Sequence, residues 1–245
     1  MPHIVAGRLD DLPSDIRLGL GAYRYRIFVE RLGWELPDVL ENDASEWDQF
    51  DEGATVHLVA LSTEQHICGC ARLMPTTGRY LLRDVFPELI GPNPLPSSPS
   101  VWELSRFAGS GSPSCTGRTR DHRAPGMHLF PYAMAVALAF GATQVIGVVS
   151  HSVERLYRRF GLDLQRIFPV SPPRDASVIA CAVELSPTTF ENLHCNPDDL
   201  VRSIAWFGQP PAPGAPVRRV TNGSQIQGLP DQAKRDCQQL VRDRE

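Results

Sequence analysis

Past Pro13, the apolar residues Ile16, Leu20, Tyr23 and Ile27 recur at close to the helical period, and Ser14 stands where an N-cap would. The spacing predicts a helix that carries Arg24 and Phe28 on one face. Over residues 32–52 the periodicity disappears, Pro37 intervenes, and Glu35, Asp38, Glu41, Asp43, Glu46, Asp48, Asp51 and Glu52 accumulate, so this stretch reads as an acidic loop. Residues 55–61 and 67–73 are apolar runs separated by the polar stretch 62–66, the pattern of an antiparallel hairpin. A Pro/Ser-rich segment, 91–100, leads into residues 101–107, where alternation predicts another strand. A Gly-, Pro- and Arg-bearing loop, 108–126, comes next. The remaining pattern predicts a helix over 130–140, with Pro131 in its first turn and Gly141 past its end, an apolar strand over 144–150, a helix over 152–160 and a strand over 178–185. Helical material then runs from Ser186-Pro187 to about residue 207.

Strands alternating with helices after a hairpin start indicate an α/β fold. The chain of 245 residues, 42% hydrophobic and 21% charged, suits one domain over residues 1–208. Residues 209–245, with Pro210, Pro211, Pro213 and Pro216 ahead of polar sequence, read as a tail with a short helix near 231–242. Apolar runs stay well short of the roughly 20 residues of a membrane span, and the N-terminal residues lack the pattern of an export signal, so a cytoplasmic protein without a membrane partner is expected. Cys68, Cys70, Cys115, Cys181, Cys195 and Cys237 show no C-x-x-C spacing, and His57, His66, His122, His128, His151 and His194 no ligand spacing, so no metal is proposed. The net charge of −4 argues against nucleic acid but hides an asymmetry. Residues 1–114 hold nine Arg and sixteen acids, a balance of −7, whereas residues 115–174 hold eight Arg and three acids, a balance of +5. Lys234 is the sole lysine of the sequence, which excludes lysine-nucleophile chemistry from the folded core.

Taken singly, Arg24, Asp48, Asp51, Arg72, Glu103 and Arg106 are compatible with solvated surface. As a set they say more. Arg72 follows the apolar run Ile67-Cys68-Gly69-Cys70-Ala71, and Glu103 and Arg106 interrupt an apolar strand. An unpaired charge buried in such a strand is costly, so three Arg and three carboxylates are expected to balance one another. Glu103 and Arg106 stand three apart, which on a regular strand points them to opposite faces; a bulge or strong twist is expected between them.

Several segments together carry a resemblance: Arg24-x3-Phe28 and Trp34; Glu46-Trp47-Asp48-Gln49-Phe50-Asp51; Cys68-Gly69-Cys70-Ala71-Arg72; Phe86; and Trp102-Glu103-Leu104-Ser105-Arg106-Phe107. Over roughly residues 4–200 the chain resembles the acyl-homoserine-lactone synthases, the autoinducer synthases of bacterial quorum sensing. The resemblance implies a fold like that of the GCN5-related N-acetyltransferases, a mixed twisted sheet with helices on both faces and a cleft between splayed central strands. It implies no true cofactor, S-adenosylmethionine (SAM) as substrate, and an acyl group delivered by acyl carrier protein or, less often, coenzyme A. By the same likeness Arg24, Phe28 and Trp34 belong to the part that closes over SAM, and Asp48, Asp51, Arg72 and Arg106 build the ion-pair network framing that pocket. Phe107 is assigned to the SAM side as well. Phe86, Ser105, Gly147 and Val148 are assigned to the acyl side, and Glu103 with Arg106 to catalysis.

The chemistry gives these residue types a reason to be present. SAM offers a sulfonium cation, a carboxylate and an amine, matched by carboxylates, an arginine and aromatic faces. Its amine must be neutral to attack a thioester, and Glu103, directly or through a water, is the natural base. Among the family's members, makers of 3-oxo products tend to carry Thr where this chain has Gly147. Glycine supplies no donor to a 3-oxo group, so an unsubstituted medium chain such as octanoyl is expected; the alternative is that Gly147 permits close packing. Two rival readings remain. Arg106-Phe107-Ala108-Gly109-Ser110-Gly111 spells the R-x-x-G-x-G of an acetyl-coenzyme-A-dependent N-acetyltransferase, but Pro113 and Pro125 delay the helix that should follow. An inactive ligand-binding module is the other.

Overall fold

The computed structural model describes residues 3–34, 36, 44–110, 127–167 and 177–211. Its strands are β1 (His3–Gly7), β2 (Val56–Leu61), β3 (Ile67–Pro75), β4 (Val101–Gly109), β5 (Gln144–Ser150), β6 (Leu164–Arg166), β7 (Val178–Glu184) and β8 (Ala205–Trp206). They form one mixed sheet in the order β6-β7-β5-β4-β3-β2-β1-β8. The helices are α1 (Ser14–Arg24), α2 (Leu81–Asp84), α3 (Phe130–Ala139), α4 (His151–Arg159), α5 (Pro187–Asn192) and α6 (Pro197–Ser203). Ser14 proves to be the first residue of α1 instead of its cap, with Pro13 ahead of it.

Strand alternation divides the sheet into two faces, and the packing follows it. Leu58 and Ala60 of β2, Ala71 and Leu73 of β3, Trp102 of β4, Val145 of β5 and Cys181 and Val183 of β7 pack with Phe130, Met134, Ala137 and Tyr157 of α3 and α4. On the other face, Val59, Leu61 and Cys70 pack with Leu20, Tyr23 and Phe28 from the α1 segment. Met74, Ile146, Ala180 and Ala182 pack there with Tyr80, Leu82 and Ile90. The sheet is thus covered by helices on both sides, as the resemblance implied.

Four short elements were not anticipated from the sequence: β1, β6, β8 and α2. The helical run expected after Ser186 is broken into α5, α6 and β8. His194 takes a left-handed conformation at φ 52°, and Asn196 accepts the backbone N–H groups of Asp198 and Asp199, starting a new helix at Pro197. Ile204 then turns extended, and β8 pairs in parallel with β1. The described chain continues past residue 208 to Pro211, which is buried.

Two irregularities shape the centre of the sheet. Between β3 and β4 the register slips, so that Cys70 pairs with Ala108 but Arg72 pairs with Ser105, leaving Arg106 and Phe107 opposite Ala71. Arg106 sits at φ 46°, a left-handed conformation in which bulky residues are uncommon. On the other side, β4 pairs with β5 in parallel only over Val101–Glu103 and Gln144–Ile146. Beyond those residues β5 continues its pairing with β7, and β4 its pairing with β3, so the two central strands part company.

Candidate active site

The bulge resolves the difficulty of the three-residue spacing. Glu103 and Ser105 face the α1 side by ordinary alternation, and the extra residue turns Arg106 to that side too. The same step reverses the alternation beyond it. Phe107 therefore points to the other face, where its ring meets Phe130 and Tyr157 edge-on at centroid distances of 5.7 and 6.3 Å. Of the residues assigned to SAM, Phe107 is the one the structure does not bring to the charged cluster.

That cluster is a closed ring of alternating charge. Arg24 donates from Nε to Glu46 Oε2 at 2.5 Å and from Nη1 and Nη2 to Asp51 at 2.6 and 3.1 Å. Arg106 reaches the same Glu46 from Nη2 at 2.8 Å and turns to Asp48 Oδ2 at 2.7 Å. Arg72 closes the circuit through Nη1, to Asp48 Oδ1 at 2.5 Å and Asp51 Oδ1 at 2.9 Å. Arg24, Glu46, Asp51, Arg72 and Arg106 are all buried. Burial opposes ionisation of the acids, but the arginines outweigh it and hold Glu46 and Asp51 below the usual carboxylate range. Burial likewise works against the Arg24 charge, and Asp51 and Glu46 more than compensate, raising its pKa.

The expected balance of three Arg and three carboxylates holds, with one exchange: the third acid is Glu46, and Glu103 stands apart. Both Glu103 oxygens accept backbone N–H groups at the start of α2, Oε2 from Leu81 at 2.6 Å and Oε1 from Leu82 at 2.8 Å. Burial pushes its carboxyl up to about 7 although these two bonds pull the other way. Two helix-terminal donors thus found a partner that the sequence had assigned to the ion-pair set. Glu46 could have been found from its position, since it, Asp48 and Asp51 share one short run and alternate carboxylates two apart can face one way.

Local structure brings the ring together. Glycine at position 21 lets the segment carrying Glu46 lie directly on α1: a Cβ there would collide with Ser45 Oγ and approach Trp47 Nε1 to 2.7 Å. The Gly21 carbonyl accepts the Glu46 N–H at 3.1 Å. Asp48 accepts the Phe50 N–H and Asp51 the Asp48 N–H, fixing the turn that presents both carboxylates. His57, opposite Arg72 in the β2–β3 pairing, touches the Asp51 carbonyl through Nε2 at 3.3 Å. Burial foremost keeps it neutral, its pKa depressed to about 4. Ser105, assigned to the acyl side, accepts Arg72 Nε at 2.9 Å and so belongs to the ring's support.

Above the ring lies an aromatic wall. After α1 the chain continues as a π-helical turn, Tyr25–Arg31, and Trp34 then donates its N–H to the Phe28 carbonyl at 2.9 Å. Phe28 and Trp34 stack at 4.8 Å, and the Arg106 guanidinium lies 5.5 Å from each ring centroid. Phe28 is buried whereas Trp34 is 42% exposed. Within the ring, Arg72 Nη2 is buried without a hydrogen-bond partner.

The residues assigned to the acyl chain flank the parting of β4 and β5. Phe86 and Val148 pack together with the Tyr80–Ile90 cluster. Gly147 is buried, and a Cβ there would come to 3.1 Å from the Leu104 carbonyl oxygen, so close packing of the two strands already accounts for glycine. Arg155, Arg158 and Arg159 are exposed on α4, while Arg118, Arg120 and the glycine at 111 lie outside the described residues. Among the described residues no helix is long and apolar enough to cross a membrane, and no group of three or more His, Cys, Asp or Glu is arranged to hold a metal ion.

Comparison with known proteins gives a consistent answer. The family described as autoinducer synthase matches residues 16–193. An acyl-homoserine-lactone synthase of Pseudomonas aeruginosa is 38% identical over 180 residues, 74% of this chain and 85% of its own length. One from Ralstonia nicotianae is 42% identical over 182 residues, 73% of this chain and 86% of its own. Among solved structures, TofI in a ternary complex with an inhibitor and MTA superimposes with a TM-score of 0.67 at 37% identity, covering 80% of this chain and 98% of TofI. BjaI, a CoA-dependent acyl-homoserine lactone synthase determined with SAM and isopentyl-CoA, gives a TM-score of 0.67 at 25% identity, covering 85% of this chain and 95% of BjaI. The mixed sheet covered by helices on both faces has the fold of these structures. The chain belongs to the autoinducer synthase family and is an enzyme of the acyl-homoserine-lactone synthase type.

Proposed function

We propose that this enzyme makes an N-acyl-L-homoserine lactone from SAM and an acyl group carried on acyl carrier protein, working in the cytoplasm and releasing 5′-methylthioadenosine. The observation that carries the reading is the buried, unpartnered Nη2 of Arg72 in the ring of ion pairs. A buried guanidinium N–H without an acceptor is costly, and the SAM carboxylate is an acceptor of the right charge. The faces of Phe28 and Trp34 suit the sulfonium cation. MTA and SAM in the TofI and BjaI structures support the same substrate.

The amine of bound SAM attacks the thioester carbonyl, the C–N bond forms, and the carrier thiol departs with a proton. Glu103 takes the amine proton, directly or through a water; a carboxyl whose pKa lies near 7 suits that exchange at neutral pH. The SAM carboxylate then attacks the carbon beside sulfur, closing the lactone as the C–S bond breaks, and Arg106 keeps the ring and its aromatic wall in place through both steps. The acyl chain lies where β4 and β5 part, among Phe86, Ser105, Gly147 and Val148. The acyl group on this reading is an unsubstituted medium chain such as octanoyl, a choice for a panel of substrates to decide, since packing against Leu104 already accounts for the glycine.

Coenzyme A is the second reading for the carrier, favoured by the CoA-dependence of BjaI. The exposed arginines of α4 favour an acidic protein carrier. The test supplies SAM with octanoyl or 3-oxo-octanoyl groups on either carrier and measures lactone and 5′-methylthioadenosine by mass spectrometry. Equal amounts of octanoyl-homoserine lactone and 5′-methylthioadenosine, formed faster from the protein carrier, are expected. A preference for coenzyme A would overturn the carrier, a preference for the 3-oxo group would overturn the chain, and no product from SAM would overturn the whole reading.

A further inference from the structure

Cys70 has no place in the chemistry above, yet it touches the backbone of the residue on which the site turns. It is buried on β3, with its side chain on the same face as the ring, and its thiol lies 3.1 Å from the Arg106 carbonyl oxygen, placed to donate the S–H to it. Arg106 is the residue at φ 46° in the bulge, where β4 carries two residues against the single Ala71 of β3. Such a conformation persists only when the surroundings over-determine it. Its side chain makes contacts on three sides: Glu46, Asp48 and the faces of Phe28 and Trp34. A rotation of the Arg106 peptide would move all of them together.

We infer that Cys70 is a positioning residue for SAM, its thiol fixing the Arg106 peptide so that the guanidinium joins the ring and braces the Phe28–Trp34 wall. This rests on the reading of the ring as the SAM site. A reactive role for Cys70 is at odds with its surroundings: burial first of all pushes the thiol up to about 12, which keeps the proton on sulfur and available for donation. Alanine at this position removes the donor and leaves room, whereas serine keeps an O–H in nearly the same place. The inference therefore separates hydrogen bonding from filling of space.

The experiment compares wild type, Cys70→Ala, Cys70→Ser and Arg106→Lys in steady-state kinetics with both substrates varied. Cys70→Ala should raise KM for SAM about fivefold, the scale of one lost hydrogen bond, and leave KM for the acyl donor unchanged. Cys70→Ser should restore most of the loss. Arg106→Lys, which keeps the charge but not the fork, serves as the reference for a damaged ring. If Arg106→Lys raises KM for SAM and Cys70→Ala does not, the positioning role is wrong and the SAM site stands. If neither changes it, the SAM site itself is misassigned. Serine worse than alanine would also overturn the inference. Should Cys70→Ala fail to fold, the difference infrared spectrum of wild type against Cys70→Ser still decides: a Cys70 S–H stretch lowered by hydrogen bonding supports the role, and one at the free-thiol position refutes it.

Discussion

Replacing Glu46 with Gln should break the ring at the acid that joins Arg24 to Arg106. Glu46 is fully buried and joins two arginines, accepting Arg24 Nε at 2.5 Å and Arg106 at 2.8 and 3.1 Å. The amide keeps one acceptor oxygen but turns an NH2 towards a guanidinium, and leaves three Arg facing two carboxylates. Breaking a buried pair of this kind costs about 3 to 5 kcal/mol. For a chain of this size that is a fall in Tm of about 6 to 20 °C, easily read by thermal denaturation at pH 7. The pH dependence gives a second signature. Because the folded state depresses the Glu46 and Asp51 pKa values, the stability they contribute is present above the unfolded carboxylate range and is lost as pH falls through the folded values. Wild type should therefore lose stability on acidification faster than Glu46→Gln, and the two curves should approach each other as pH falls below the ordinary glutamate range. A Tm difference below about 2 °C at pH 7, or a gap that does not narrow with acid, would refute the assignment of Glu46 to the ring.

Glu103→Gln should lower turnover by about 100-fold at neutral pH, the scale of a positioned base, and full activity would remove Glu103 from the mechanism. The same variant has an opposite stability signature. A carboxyl raised to about 7 costs the folded state stability as pH climbs from the ordinary glutamate value to about 7, and Gln should abolish that decline in a Tm-versus-pH series. Gly21→Ala should destabilise the protein by about 1 to 3 kcal/mol by pushing Ser45 and Trp47 off α1, and should raise KM for SAM because Glu46 moves with them; an unchanged KM would show that the ring tolerates the shift. Arg155→Glu with Arg159→Glu should raise KM for the acyl carrier and flatten its dependence on ionic strength while KM for SAM stays put, and equal salt responses before and after would exclude docking at α4.

What the sequence revealed followed from local rules. Helical period located α1, apolar runs and alternation located β2 to β5, and the cost of burying lone charges announced an ion-pair network among three Arg and three carboxylates. The three-residue gap between Glu103 and Arg106 even forecast the bulge. The direction of its consequence escaped: an extra residue that turns Arg106 inward must turn Phe107 outward, and that alternation had to be carried one position further. Glu103 was misplaced for a different reason. Its partners are the backbone N–H groups of Leu81 and Leu82, which carry no side-chain signal, and α2, at four residues, is too short for periodicity to reveal. β6 and β8 escaped likewise, with three and two residues, and β8 pairs with β1 at the other end of the chain.

The π-helical turn at Tyr25–Arg31 has a consequence for how this segment could change over generations. A π turn holds one more residue than the α-helix that surrounds it, so it behaves as a tolerated insertion. Removing one residue would let the segment relax into plain α-helix, rotating every later side chain by about 100° around the axis. Lost ahead of Phe28, that residue would take both Phe28 and Trp34 off the Arg106 guanidinium, whatever their identities. The aromatic wall is thus encoded partly in the count of residues between Arg24 and Trp34. A lineage that trimmed this stretch by one would lose the wall without altering a single side chain in it.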